Sequence, residues 1–148
     1  MKTPRARLDM CAWQLPGCQM KQSIVPERSF TFALEIIRLY RSLVDAREYV
    51  LSKQLLRSGT SIGANIEEAT AGQSRNDFLA KMCIASKEAR ETRYWLRLLQ
   101  ESQVVSVDVA RQLELIDELI RMLTAIVKTT QEGLKTENSK LRTADNHG

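Results

Sequence analysis

After Pro26 the chain contains no further proline, and from Phe30 to Glu132 its apolar residues recur at spacings of three and four. A proline ring removes a backbone donor and clashes with the preceding helical turn, so a long proline-free stretch with this period reads as helix. Glycine is scarce as well, six in 148 residues, and no alternating apolar–polar run competes as a strand.

The period breaks into four segments. A first helix is expected from Ser29 or Thr31 to Asp45, with Leu34, Ile37, Leu39, Tyr40, Leu43 and Val44 on one broad face. A second is expected from Glu48 to Ala71, striped by Leu51, Leu55, Ile62, Ile66 and Ala69. Gly59 stands in line with that stripe, and Gly59 and Gly63 each cost about 1 kcal/mol relative to alanine. Their presence predicts close approach of a neighbouring backbone, and Gly72 suits the position just past the helix end. The third helix has the clearest start: Ser74 precedes Asp77 by three residues, a variant of the capping box, just ahead of Phe78 and Leu79. It should run to Gln100, burying Phe78, Met82, Ala85, Ala89, Leu96 and Leu99, with Tyr94 and Trp95 anchoring a helix–helix contact. The fourth should begin after Ser106 with Asp108 in its first turn, where the helix dipole favours an anion. Val109, Leu113, Ile116, Ile120, Leu123 and Val127 form its stripe, widened by Leu115, Leu119 and Ile126. Four helices with short connections predict an all-α, antiparallel, up-down-up-down four-helix bundle.

The flanks differ. Residues 1–28 mix Pro4, Pro16, Gly17 and Pro26 with scattered charge and lack a sustained period, so they are expected to form a disordered N-terminal extension, with Met20 an alternative start, or else a basic arm for an acidic partner. Residues 29–135 make the bundle, and residues 136–148 a flexible polar tail. The formal charge is +4, of which residues 1–29 hold +3 (five basic against two acidic residues), residues 30–135 hold +1 (fifteen against fourteen) and residues 136–148 none (two against two). Any nucleic-acid contact must therefore rest on how charge is arranged along the helices. Cys11, Cys18 and Cys83 are an odd set without framework spacing, which points to a reducing, cytoplasmic compartment. No apolar run reaches the roughly 18–20 residues of a membrane span.

The segment Ser58-Gly59-Thr60-Ser61-Ile62-Gly63-Ala64-Asn65-Ile66-Glu67-Glu68-Ala69, followed by Ser74-Arg75-Asn76-Asp77-Phe78 and by Ile84 through Leu99, resembles the four-helix-bundle proteins encoded in intervening sequences of bacterial large-subunit ribosomal RNA genes. Glu118-Leu119-Ile120-Arg121-Met122-Leu123 matches the family's fourth helix in character. The resemblance covers about residues 30–130 and implies an up-down bundle that, in related members, assembles as a homopentameric barrel. One branch of that family comprises the accessory proteins of diversity-generating retroelements, which bind nucleic acid and a reverse transcriptase. The resemblance thus implies a homo-oligomeric ring of this chain, with RNA or DNA and a reverse transcriptase as candidate partners.

Two constellations carry possible function. Ser61, Asn65 and Glu68 lie along one side of the second helix, with Lys87, Glu88 or Thr92 of the third as expected partners. They form either a polar network that fixes helix register or a binding site. Lys87, Arg90, Arg93 and Arg97 form a basic set on the third helix, in which the spacing of Arg90, Arg93 and Arg97 lets their guanidinium groups share a face, and Lys53 and Arg57 are one turn apart on the second. They form either a solvated, salt-bridged face or a stripe for nucleic-acid phosphates, since a guanidinium donates two hydrogen bonds to an anion at once. Catalysis lacks its parts. The sole histidine, His147, lies in the tail, so di-iron, zinc and triad chemistries have no ligand or base set. Cys83 reads as core, Cys11 and Cys18 are two ligands at most, and Gly59-Thr60-Ser61-Ile62-Gly63 lacks the lysine of a phosphate loop. The expectation is a non-enzymatic protein without cofactor or metal, either a nucleic-acid-binding accessory or a structural interaction module.

Overall fold

A computed structural model describes residues 19–145 of the chain, with side chains placed for residues 24–142. Four helices follow one another, α1 (Gln19–Asp45), α2 (Leu51–Thr70), α3 (Arg75–Ser102) and α4 (Ala110–Asp145), and no strand occurs among the described residues. Each helix lies beside two others, α1 by α2 and α4, and α3 by α2 and α4, and among the described residues the backbones do not approach closely across either diagonal. Ion pairs give the register. Arg57 meets Glu88 and Glu91 while Lys81 meets Glu68, so numbers fall along α3 as they rise along α2. Arg93–Asp117 with Arg75–Glu137, and Arg28–Glu118 with Glu35–Arg111, set α4 antiparallel to α3 and to α1. The α1–α2 and α3–α4 connections therefore share one end of the bundle. The α2–α3 turn, the start of α1 and the end of α4 lie towards the other.

The core is filled by Val25, Phe32, Ile36, Leu39 and Leu43 of α1, Leu55, Ile62, Ile66 and Ala69 of α2, Met82, Ala85, Ala89, Leu96 and Leu99 of α3, and Ile116, Leu119, Leu123 and Ile126 of α4 with Val109 before it. Of the stripes expected on α2, α3 and α4, most residues enter this core, whereas Leu51, Phe78, Leu113, Leu115, Ile120 and Val127 are only half-buried against it. α1 differs from expectation. Its core line is Val25, Phe32, Ile36, Leu39 and Leu43, whereas Leu34 (40% exposed), Ile37 (41%) and Phe30 (65%) lie outside. At 100° per residue the helix carries two apolar stripes on opposite sides, and the sequence reading mixed them.

The helix ends show how boundaries were set. α1 starts at Gln19, ten residues before Ser29, and holds Pro26 inside it. The Ser29 hydroxyl donates to the Pro26 carbonyl at 2.8 Å, and burial of Val25 gives this early segment a hold on the core. Residues 1–18, where most of the expected extension falls and where Cys11 and Cys18 lie, are outside the described residues, as is His147. α1 ends with Arg47 left-handed (φ 63°), Arg47 N–H on the Val44 carbonyl and Glu48 N–H on the Leu43 carbonyl, the five-to-two and six-to-one bonds of a Schellman motif. Glu48, expected as the first residue of the second helix, instead caps α2: its carboxylate accepts from Val50, Leu51 and Ser52 N–H at 3.0, 2.9 and 2.6 Å. Ser74 caps α3 as its spacing predicted, accepting from Asp77 N–H at 3.1 Å. Asp108 lies ahead of α4 and accepts from Ala110 N–H at 2.9 Å. α4 continues helical to Asp145, through the segment expected to fray.

Candidate nucleic-acid interface

The basic residues of α2 and α3 do not share one face. Core packing turns Ala85, Ala89, Thr92, Leu96 and Leu99 of α3 inward, which leaves two edges, one against α2 and one against α4. Arg57 lies in the α2–α3 seam, hydrogen-bonded to Glu91 and 3.9 Å from Glu88. Glu91 also accepts from Trp95 Nε1 at 3.2 Å, and Trp95 meets Tyr94 edge-on with centroids 5.1 Å apart. Tyr94 itself faces outward, against the anchoring role expected of it.

Arg90 and Arg93 lie in the α3–α4 seam. Arg93 Nε donates to Asp117 at 2.7 Å. Arg90 donates to the Ser86 carbonyl at 2.9 Å, to the Ser86 hydroxyl, and to Thr124 Oγ1 at 3.1 Å. Every one of those partners is neutral, so the Arg90 guanidinium is held in place with its charge uncompensated. Arg97 pairs along its own helix with Glu101 at 3.1 Å. Lys53 and Lys87 are exposed and make no ion pair among the described residues.

The polar set resolves into separate pairs. Asn65 Nδ2 donates to the Ser61 carbonyl at 2.9 Å and to Ser61 Oγ at 3.3 Å, all within α2. Glu68 meets Lys81 rather than Lys87, Glu88 or Thr92. Glu88 faces Arg57, its Oε2 buried and without a hydrogen bond, while Thr92 donates to the Glu88 carbonyl at 2.8 Å. Register across the α2–α3 seam is thus tied by Arg57–Glu91 and Lys81–Glu68, and Ser61–Asn65 is internal to its helix.

Among the described residues no group of three or more histidine, cysteine, aspartate or glutamate side chains could hold a metal, and no helix is long and apolar enough to cross a membrane. Cys83 is a free thiol at a half-buried position. The sequence reading missed the cations of α4. Arg121, Lys128, Lys135 and Arg142 recur every seventh residue and are exposed without an ion pair. The heptad spacing was the available signal.

Comparison with known proteins bears on this surface. No curated protein matches the chain. A solved structure of a protein of unknown function from the S23 ribosomal protein family of Bacteroides thetaiotaomicron VPI-5482 is similar, with 46% identity over 74% of this chain and 99% of that one, and a TM-score of 0.70. The sequence model of the 23S rRNA-intervening sequence proteins matches residues 21–125, a span that takes in α2, α3 and their seam but leaves the last twenty residues of α4 outside. With that match covering most of its length, the chain belongs to the 23S rRNA-intervening sequence protein family.

Proposed function

We propose that this chain is a self-assembling, non-catalytic helical scaffold of the cytoplasm that holds nucleic acid by its phosphates. The observation that carries the nucleic-acid part is Arg90, a guanidinium fixed by neutral partners, beside the unpaired Lys87 one turn away. A fixed cation with its charge unspent has little freedom left to lose on meeting a phosphate. Self-assembly rests on the outward stripe of Phe30, Leu34 and Ile37, an apolar line along α1 that faces water in the single chain. In a closed ring, of five copies if it follows the resemblance, each subunit repeats the same cations, and modest contacts add through multivalency.

A second reading is favoured by other pairs. Arg57, Arg93 and Arg97 each meet a carboxylate, which suits a structural module whose charges only hold helices together. Light scattering of the full chain with and without RNA, and binding across a salt series, separates the two. The first reading expects affinity that falls steeply with salt. The second expects no binding at low salt, with Arg90→Glu and Arg93→Glu lowering the assembled mass.

A further inference from the structure

α4 runs well past the segment its family match covers, and there it carries a feature of its own. Arg121, Lys128, Lys135 and Arg142 are spaced by seven residues, so successive side chains fall within about 20° of one azimuth and about 10.5 Å apart along the axis. All four are exposed and make no ion pair among the described residues. Two of the helix's carboxylates are drawn off elsewhere: Asp117 to Arg93 and Glu137 to Arg75. Glu132 is the one carboxylate on the same side between Arg121 and Arg142, and it pairs with neither Lys128 nor Lys135 in the structure.

The line is held straight by the bundle. Arg75, at the start of α3, has a side chain only 17% exposed, bound to Glu137 and seated over Gly133, where a Cβ would lie 3.7 Å from its Nη2. It pins the outer part of α4 to α3. The line also joins the surface described above. Arg90 reaches Thr124, and one turn further along each antiparallel helix stand Lys87 and Lys128. Arg90 thus marks where the seam meets the exposed faces that carry Lys87 on α3 and Lys128 on α4.

We infer that the outer face of α4 is a rail for the phosphate backbone of double-helical nucleic acid, an inference that rests on the nucleic-acid reading above and names its ligand class. Cations at a fixed spacing along a rod suit a regular, rigid array of phosphates. Proteins that grip single strands add aromatic platforms on which bases stack, and α4 has no phenylalanine, tyrosine or tryptophan anywhere in its length. Contacts from lysine and arginine ends to phosphate carry no sequence information, so binding is indifferent to sequence.

The test uses the full chain and three fluorescent probes of equal length: an RNA duplex, a DNA duplex and a single-stranded RNA. The variant Lys128→Glu/Lys135→Glu/Arg142→Glu should bind duplex at least tenfold more weakly than the wild type. Its slope of log affinity against log salt should flatten by about 2.7, roughly 0.9 for each cation removed. Glu132→Lys, which adds a cation to the same line, should tighten duplex binding severalfold, a gain no misfolded protein can imitate. If the wild type binds duplex and neither variant changes affinity or slope, the rail is overturned while the broader nucleic-acid reading stands. If the wild type prefers the single strand, the duplex assignment is overturned. If it binds no probe at low salt, both readings fall together. The two duplex probes tell whether RNA or DNA geometry is favoured, and either preference supports the rail.

Discussion

Ile36 occupies the space that a side chain at position 59 would need: a Cβ built on Gly59 would stand 2.9 Å from Ile36 Cγ2 and 3.0 Å from its Cγ1. Both residues are buried, Ile36 completely. The α1–α2 contact therefore depends on a missing methyl group. Gly59→Ala should destabilise the fold by about 1–3 kcal/mol despite its better helix propensity, because the branched side chain it meets is hemmed in by the core. Gly63, whose Cβ would meet Ser29 Oγ at an ordinary 3.5 Å, should accept alanine at no cost or gain up to about 1 kcal/mol. Urea unfolding of the two variants checks the contrast. Ile36→Ala, which removes both Cγ atoms, combined with Gly59→Ala should cost less than the sum of the two changes.

Arg47 and Gln103 hold left-handed backbones with φ of 63° and 51°, at the ends of α1 and α3. Neither has the short side chain that tolerates that region. Arg47→Gly and Gln103→Gly should each stabilise the fold by about 0.5–1 kcal/mol, less the extra freedom that glycine gives the unfolded chain. Thermal midpoints by circular dichroism would rise by a few degrees; a fall at either position would mean its side chain makes a contact worth more than the strain.

Glu48 is pulled in two directions. Burial pushes its pKa up, but the Leu51, Ser52 and Val50 N–H groups that it accepts from outweigh this and hold it below its ordinary value. A carboxylate with a lowered pKa in the folded state contributes stability that is complete above its unfolded pKa, about 4.3, and is lost as the pH falls through the lower folded value. Glu48→Gln should cost about 1 kcal/mol at pH 7 through the weaker cap. It should also leave the variant less sensitive to acid than the wild type between pH 5 and 3, measured as the shift in urea midpoint. Equal acid slopes in the two proteins would show that Glu48 does not govern this limb.

Leu34→Lys with Ile37→Lys places two charges on the outward stripe of α1 without touching the core. If that stripe is a seam between copies, the mass by light scattering should drop towards that of a single chain while helical ellipticity is retained. An unchanged assembled mass would move the seam elsewhere on the bundle.

Arg75→Ala removes the clamp on the outer part of α4. Backbone amides after Gly133 should then exchange with solvent markedly faster, while those around Leu119 and Leu123 keep their protection, since opening is local. Uniform loss of protection would instead make Arg75 part of the global fold.

The third helix's start and the buried lines of α2, α3 and α4 were legible because each is a local signal: a serine three residues before an aspartate, or one apolar stripe against polar surroundings. α1 was not, because Phe30, Leu34 and Ile37 lie opposite Phe32, Ile36 and Leu39, and periodicity alone does not say which of two stripes faces inward. Its start lies ten residues before Ser29, because the buried Val25 ties the segment around Pro26 to the core, a tertiary contact that local pattern does not reveal. The basic residues were read as one stripe from spacing within α3. Their division into seams depends on which neighbour lies on each side: Asp117 of α4 for Arg93, and Arg57 of α2 for Glu91. Lys81 was not foreseen as the partner of Glu68, since it reaches Glu68 only across the tight turn between α2 and α3.

With α1 starting and α4 finishing towards the same pole, the opposite pole is made only of two closed bends, residues 46–50 and 103–109. Anything joined directly at Gln19 or at Asp145 therefore crowds one hemisphere of the molecule and leaves the other bare. A tether attached at either of those two helix ends will present the Tyr49, Val50 and Val104 side outward.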